Sequence, residues 1–241
     1  MTLWLWLSCS QPEAPPEKSL VDASQQVHFA SVEKLGAHHS LITVEVTERQ
    51  FTRETSSSTE VLELWWESWS RFRYQRKVNG KIKQEVLVID DRPWQFNGKA
   101  WRQGDDPESY RNQLKLSWDI WGRVYRSFSG NAKWTEEAVE MLGKRSVQRY
   151  SVTYTPPEKQ PAYGLIPTSL SAIVWVDQAT AVRLLGEMTA VRENEGYQQT
   201  QVLRLERDQI GENFEFIPPT EVQKNNGLMK LEKRPGNPAG N

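Results

Sequence analysis

The chain has 241 residues, with 30 basic and 31 acidic side chains and a formal net charge of −1 at pH 7. This balanced charge argues against a protein that binds nucleic acid through its electrostatic field. A single cysteine excludes an intramolecular disulfide framework and a cysteine-rich metal site. The eleven tryptophans are an unusual load. Because tryptophan buries a large area yet keeps one N–H that needs a partner, they favour a wide, irregular apolar interior or a ligand cavity.

The N-terminal segment contains the single cysteine, Cys9, at the end of an apolar run that begins at Leu3. A small residue, Ser8, precedes Cys9, and a polar, proline-rich stretch follows it. This pattern resembles the lipobox of a bacterial lipoprotein signal peptide, which implies that the preceding segment is removed and that Cys9 is acylated. The run lacks the basic residues that open such a segment, which a start codon placed too far downstream would explain. The alternative is a buried or free cysteine in a cytoplasmic protein.

The residues that follow change from a helical to a strand pattern. Apolar side chains recur at helical spacing over residues 19–36, and Gly36 is a suitable end, so we expect an N-terminal helix. From Ile42 onward, apolar and polar residues alternate, as in strands that have one face in water. We expect a turn at Ser56-Ser57-Ser58 and a strand over residues 61–69.

Two Asn-Gly pairs, Asn79-Gly80 and Asn97-Gly98, predict hairpins. Each pair suits a two-residue type I′ turn, in which both central residues have positive φ. In the second hairpin, this register would place Trp94 opposite Trp101. We therefore expect consecutive antiparallel strands through this part of the chain.

Residues 107–129 interrupt the strand pattern. Pro107 and Glu108 suit the start of a helix, and apolar side chains then recur at helical spacing in two adjacent stripes. The combined apolar arc is wider than a helix on a simple surface requires. At 1.5 Å per residue this helix would be about 30 Å long, which is enough to lie across the mouth of a half-open barrel.

The chain then returns to strands. We expect these over residues 147–155, 169–177, 182–192, 197–208 and, as a last short strand, 214–217. The final residues are rich in Asn, Gly, Lys and Pro, which predicts a disordered tail. The element order is thus helix, antiparallel strands, helix, antiparallel strands.

Two segments of the second half carry a family resemblance. Residues 171–180 (Ser-Ala-Ile-Val-Trp-Val-Asp-Gln-Ala-Thr) and 212–219 (Glu-Asn-Phe-Glu-Phe-Ile-Pro-Pro) resemble motifs of the lipoprotein-localisation-factor superfamily, with its LolA-, LolB- and LppX-like members. The resemblance covers residues 19–220. It implies an α+β fold, in which a strongly curved antiparallel β-sheet forms an unclosed half-barrel with an N-terminal helix and a lid helix in the middle of the chain. It also implies a periplasm-facing protein whose concave interior can hold acyl chains.

A ligand of this kind needs an apolar lining. Burying one acyl chain of 14–16 carbons is worth roughly 12 kcal/mol, at ~0.8 kcal/mol per methylene. We expect aromatic residues of the sheet and of the lid helix to supply the lining, and ordinary core packing is the alternative for each of them. The expected lining residues are Trp66, Phe72, Tyr74, Trp118, Trp121, Tyr125 and Trp175.

The sequence shows no pattern typical of catalysis. His28, His38 and His39 have no acidic or cysteine partner at metal-ligand spacing, and we expect them in solvated loops. The Asp pairs at 90–91 and 105–106 suit turns, where aspartate caps backbone N–H groups. No phosphate-binding glycine loop and no Gly-x-Ser-x-Gly motif occurs in the sequence. We expect a protein without enzymatic activity, cofactor or metal.

These patterns predict an organisation and a cellular place. Residues 1–9 would be a lipoprotein-type signal segment, 10–18 a disordered tether, 19–220 a single LolA-like half-barrel domain and 221–241 a disordered tail. We expect an outer-membrane lipoprotein that faces the periplasm, or a cytoplasmic protein if the N-terminal segment is not a signal.

Two functions are consistent with this organisation. The leading hypothesis is a membrane-anchored lipoprotein that binds a lipid or an acylated protein and serves lipid or lipoprotein transport to the outer membrane. The alternative is a non-catalytic envelope scaffold that uses the same fold with a filled core. The expected partners are lipid or acyl chains, the membrane through acylated Cys9, and other envelope proteins, with a monomeric chain and no nucleic acid.

Overall fold

The computed structural model describes residues 32–118, 120–158, 164–220 and 222–223, with the side chains of 116–118 and 222–223 left undescribed. Cys9, the predicted signal segment and tether, His28, and nearly all of the predicted C-terminal tail lie outside these residues. The same holds for most of the predicted N-terminal helix. Its described end is a 3-10 turn over Glu33–Leu35, which ends at Gly36 with a φ of 70°.

Within the described residues, twelve strands form one sheet in the order β12-β6-β5-β4-β3-β2-β1-β11-β10-β9-β8-β7. All neighbours are antiparallel except β12 and β6, which are parallel. Because β12 and β7 are free edges, the sheet is not closed. The strands are β1 His38–Gln50, β2 Arg53–Ser68, β3 Arg71–Val78, β4 Lys81–Ile89, β5 Arg92–Phe96, β6 Trp101–Gln103, β7 Ala132–Leu142, β8 Arg145–Tyr154, β9 Ile166–Asp177, β10 Arg183–Asn194, β11 Tyr197–Asp208 and β12 Val222–Gln223.

Two helices, α1 Pro107–Trp118 and α2 Ile120–Arg126, lie between β6 and β7 in the chain. Tyr110 of α1 reaches Gln95 of β5, and Tyr125 of α2 contacts Trp134 of β7. On a flat sheet, β5 and β7 would lie roughly 43 Å apart at about 4.8 Å per strand, whereas fifteen helical residues span only about 23 Å. The sheet must therefore curve around the helices. The predicted half-barrel with a helical element in the middle of the chain is confirmed.

We call the face that packs on the helices the concave face and the other the convex face. Strand alternation assigns every residue to one of them. In β1, for example, the buried positions His38, Ser40, Ile42 and Val44 alternate with more exposed ones. The main apolar cluster fills the concave face and joins the sheet to both helices.

The convex face carries smaller apolar clusters and many ion pairs. The coil after β11 crosses this face, where Phe216 packs with Leu87 and Trp94, and Arg71 lies 5.7 Å from the centre of the Phe216 ring. The backbone N–H of Phe214 donates to Glu67 at 2.8 Å. These side-chain contacts hold residues 214–217 as coil, so the prediction of a strand there is wrong.

The two Asn-Gly pairs behave differently. Asn79 and Gly80 both have positive φ, 49° and 74°, and form the predicted two-residue turn between β3 and β4. At Asn97-Gly98 the prediction is wrong, because the Asn97 side chain accepts the backbone N–H groups of residues 99 and 100 at 3.2 and 3.3 Å. The loop therefore has four residues, and Trp101 pairs with Phe96.

Two further elements differ from the sequence prediction. The segment Ser56-Ser57-Ser58 is strand, because β1 and β2 stay paired as far as Gln50 and Arg53, and the turn lies at Phe51 with a φ of 54°. Strand β7 was not predicted. Its residues from 135 to 139 are all exposed, so the middle of the strand shows no alternation that could reveal it.

Candidate functional site

The apolar middle of the concave face brings together five of the predicted lining residues. Each is at most 8% exposed, and all belong to the main apolar cluster with side chains of both helices. Two of them also contact neighbouring rings edge to face, Trp66 with Trp69 at 6.2 Å and Tyr125 with Trp134 at 6.0 Å. The five residues are Trp66, Phe72 and Tyr74 from the sheet and Trp121 and Tyr125 from α2.

The structure does not bring Trp175 to this place. In β9 the side chains of Ala172, Val174 and Val176 belong to the concave cluster, so Trp175 falls on the convex face. There its indole N–H donates to Glu140 at 3.0 Å, and Arg149 lies 5.6 Å from its ring. The side chain of Trp118, the remaining predicted lining residue, lies outside the described part of the structure.

One end of the concave face contains a cavity of about 510 Å³ between α2 and the sheet. We call this the cavity end. Apolar side chains of α2 form one wall, and polar side chains of four strands form the other. The lining residues are Ile120, Arg123 and Val124 from α2 with Glu60, Arg76, Arg192 and Gln201 from the sheet.

The cavity end carries three guanidinium groups and one carboxylate among its described lining residues. Glu60 accepts a hydrogen bond from Arg76 at 2.5 Å, which raises the pKa of Arg76. Arg192 donates only to neutral oxygen atoms, those of Gln201, Ser127 and the Val124 carbonyl, at 2.9–3.3 Å. Burial lowers the pKa of Arg192.

The opposite end of the concave face is closed and also positively charged. We call it the buried end and define it by His38, Ser40, Arg183 and Arg207, each at most 6% exposed. Arg207 donates a hydrogen bond to the backbone carbonyl of Arg183, and Arg183 lies 4.3 Å from the ring centre of Trp121. Burial lowers the pKa of both arginines to about 9, and for Arg183 the charge of Arg207 contributes to that lowering.

His38 is a titratable group within this buried end. Its Nδ1 lies 2.7 Å from the carbonyl oxygen of Gly36, and its ring packs 5.4 Å from Trp66. Burial lowers the pKa of His38 to about 4, and the positive charge of Arg207 acts in the same direction. His38 is therefore neutral at pH 7 and donates from Nδ1. The prediction that His38 lies in a solvated loop is wrong, as is that for His39, which lies on β1 and contacts Asp208 at 2.6 Å.

Sequence reasoning missed the polar residues of both ends. Arg76, Arg192 and Arg207 sit on the same strand parity as buried apolar neighbours, for example Tyr74 and Leu205. A charged side chain on the apolar parity of a strand was the signal that could have revealed them. Charged residues on this parity also occur where a strand leaves the core. Parity alone therefore does not distinguish a residue that lines the site from one at a strand end.

No group of three or more His, Cys, Asp or Glu side chains within the described ranges could hold a metal ion. None of the described helices combines the length and the apolar character that crossing a membrane requires.

No protein-family model and no curated protein matches the chain, but several solved structures of bacterial proteins are similar to it. A LolA superfamily protein from Nitrosomonas europaea is 10% identical, with a TM-score of 0.26 over 83% of this chain and 94% of its own. The Mycobacterium tuberculosis lipoprotein LppX is 12% identical, with a TM-score of 0.32 over 81% of this chain and 96% of its own.

The third similar structure is the complex of Pseudomonas aeruginosa MucA and MucB, which is 16% identical with a TM-score of 0.26. It is covered over 57% of its own length and 77% of this chain. Identities and superpositions as low as these transfer neither a ligand nor a partner to this protein. The likeness to these solved structures is a likeness of fold alone.

Proposed function

We propose that this protein is a membrane-anchored lipoprotein that binds an acyl chain on the concave face of its half-barrel. The cavity between α2 and the sheet is the observation that carries the proposal. It is continuous with the apolar cluster through Ile120 and Val124, and its volume of about 510 Å³ falls in the range typical of small-molecule sites. The aromatic residues behind it, Trp66, Phe72, Tyr74, Trp121 and Tyr125, extend the apolar surface.

Under this proposal, the acyl chain takes the place of contacts between α2 and the sheet. Helix α2 contributes four residues, from Ile120 to Tyr125, to the apolar cluster and the side chains packed against it. A shift of α2 away from β10 and β11 would open the 510 Å³ cavity towards the aromatic residues. An acyl chain could then replace contacts of α2 with the sheet by contacts of its own, at ~0.8 kcal/mol per buried methylene.

Binding can be tested with protein purified from membranes. Native mass spectrometry should show a co-purifying lipid, and equilibrium dialysis of the delipidated protein with tritiated palmitate should measure rebinding. Gln201→Trp fills the cavity from β11, so we expect it to lower palmitate binding at least tenfold. Thr200→Trp is the matched control, because it places the same side chain on the opposite face of the same strand. Equal palmitate binding by both variants would mean that the ligand does not bind in this cavity.

The membrane anchor belongs to the same proposal. Acylation of Cys9 would hold the folded domain at the membrane through residues 10–18, and several acyl chains are needed because one chain binds a bilayer only marginally. Metabolic labelling with an acyl-chain probe should mark the wild type and not Cys9→Ala, and fractionation should move Cys9→Ala out of the membrane. Equal labelling of both proteins would mean that Cys9 is not the acylated residue, and would favour the cytoplasmic alternative. A periplasmic orientation at the outer membrane, and with it a part in lipid or lipoprotein transport, follows only if the anchor is present.

A specific observation favours the second candidate, a non-catalytic envelope scaffold with a filled interior. Phe72, Tyr74 and Trp121 are at most 1% exposed and belong to the main apolar cluster. Under this alternative the aromatic residues are ordinary core. Protein purified from membranes would then carry no lipid, and Gln201→Trp would change nothing but stability.

A further inference from the structure

The cavity end differs from a purely apolar pocket in its charge. Its described lining holds Arg76, Arg123 and Arg192 against a single carboxylate, Glu60, and that carboxylate already binds Arg76 at 2.5 Å. Two guanidinium groups therefore face the cavity without a carboxylate among the residues described there. Positive charge in excess, next to an apolar wall, is the environment that an amphiphile with a negative head group requires.

Arg192 is held in place before any ligand arrives. Its three nitrogen atoms donate to Gln201, Ser127 and the carbonyl oxygen of Val124, and its guanidinium lies 5.3 Å from the Phe128 ring. All these partners are neutral, so they orient the charge without compensating it. A half-buried, oriented and uncompensated cation lowers the cost of binding an anion, because the Arg192 side chain is already ordered.

Arg123 lies on α2 at the rim of the same cavity. It is exposed, and it forms no hydrogen bond or ion pair within the described part of the chain. It can therefore move to an anion that Arg192 has already positioned. Guanidinium groups bind carboxylates and phosphates through paired hydrogen bonds, so one fixed and one mobile arginine form a suitable clamp.

We propose that the ligand is an anionic amphiphile, whose carboxylate or phosphate group is held by Arg192 and Arg123 while its acyl chain enters beside Ile120 and Val124. This inference rests on the proposed function and adds the chemistry of the head group. The carboxylate of a fatty acid and the phosphate of a phospholipid share this chemistry. Arg76 stays paired with Glu60 and contributes the wall of the cavity.

Three probes of equal chain length test the inference: palmitate, palmitoyl lysophosphatidic acid and hexadecan-1-ol. In equilibrium dialysis below their aggregation limits, delipidated protein should bind at least one of the two anions at least tenfold more tightly than the alcohol. Preference between the anions identifies the source of the head group. Raising the salt concentration should weaken anion binding and leave alcohol binding unchanged.

The variants Arg123→Glu and Arg192→Gln locate the anion. We expect each to lower anion affinity about tenfold and to change hexadecan-1-ol affinity less than twofold. Arg123→Glu is the decisive variant because its side chain is exposed and its replacement leaves the core intact. Arg126→Gln, on the same helix but outside the cavity lining, is the control and should match the wild type.

Each outcome separates the inference from the function on which it rests. If the alcohol binds as tightly as both anions, or if Arg123→Glu lowers the affinity for all three probes equally, the charged clamp is refuted while acyl-chain binding stands. If none of the probes binds, acyl-chain binding fails and the clamp fails with it.

Discussion

Trp65 and Trp66 are neighbours in β2, yet they lie in two different environments, because successive side chains of a strand point to opposite faces. Trp66 is 6% exposed in the concave cluster. Trp65 lies on the convex face, where Arg73 is 4.9 Å from its ring centre and the ring of His39 is 5.2 Å away. The concave face is stabilised by apolar contact with the helices, and the convex face by charged groups stacked on aromatic rings. Mutations should therefore have large effects on one face and small, salt-dependent effects on the other.

The largest expected effect is that of Trp121→Ala. Trp121 is 1% exposed and packs between Arg183 and Gly186, so its removal leaves a large void and an arginine without its aromatic neighbour. We expect the free energy of unfolding to fall by about 3–5 kcal/mol. Denaturant unfolding followed by circular dichroism measures it. Trp65→Ala is the matched control on the convex face and should lose less than half as much; equal losses would contradict the comparison of the two faces.

The second effect depends on pH and on His38. Its pKa is about 4 in the folded protein against an ordinary value of 6.5, so the unfolded chain binds the proton more readily. Its contribution to the unfolding free energy is complete above about pH 6.5 and is lost as the pH falls towards 4, by roughly 3 kcal/mol.

Denaturant unfolding of the wild type and of His38→Gln, compared between pH 7.5 and pH 4.5, isolates this contribution. Both proteins lose the contributions of the carboxylates that they share, and only the wild type also loses that of His38. The wild type should therefore lose more stability than His38→Gln over this range. His39→Gln, which changes the adjacent ring on the convex face, should keep the steep dependence of the wild type. Parallel curves for wild type and His38→Gln would show that His38 is not buried in its neutral form.

A smaller loss is expected for Gly186→Ala in β10. A Cβ atom at this position would lie 2.9 and 3.0 Å from the Trp121 ring and 3.1 Å from Arg183. Because the ring is itself held on all sides, we expect a loss of about 1–3 kcal/mol. Gly130→Ala is the control, since a Cβ there meets nothing within 4 Å. A neutral Gly186→Ala, measured by thermal unfolding, would mean that α2 can shift away from β10 at little cost.

The smallest effect should come from the convex ion pair between Arg204 and Glu45. The two groups are 3.1 Å apart, with side chains 59% and 45% exposed. Exposed pairs of this kind contribute about 0.2–1 kcal/mol, and salt screens them. Arg204→Gln should therefore lower the unfolding free energy by at most about 1 kcal/mol in low salt, and the difference should vanish in concentrated salt.

The architecture could be predicted from the sequence because its signals are local. Alternation marks β1 and β3, and the Asn79-Gly80 turn needs no information from the rest of the chain. Strand β7 could not be predicted, since its middle, residues 135–139, is exposed on both faces and carries no alternation. The Asn97-Gly98 loop depends on a side-chain hydrogen bond that competes with the type I′ turn.

The candidate site was only partly predictable, for a related reason. Trp175 stands in a run, residues 172–176, that is apolar on both faces, so the sequence does not reveal which parity faces the helices. Phe72 stands between Arg71 and Arg73, so its parity is clear. Arg192 on β10 and Arg207 on β11 are assigned to the concave face only once the register of β11 with β10 and with β1 is known.

The free edge of β7 bears on whether copies of the protein can pair through their sheets. An unpaired strand offers its N–H and C=O groups to any extended chain that it meets. Here the register shifts between Glu136 and Val139, which breaks that row of groups, and Glu136 and Glu137 stand exposed beside the break. Two copies meeting edge to edge would bring like charges together at an irregular backbone. The irregular, charged edge of β7 therefore disfavours pairing between two copies through this strand.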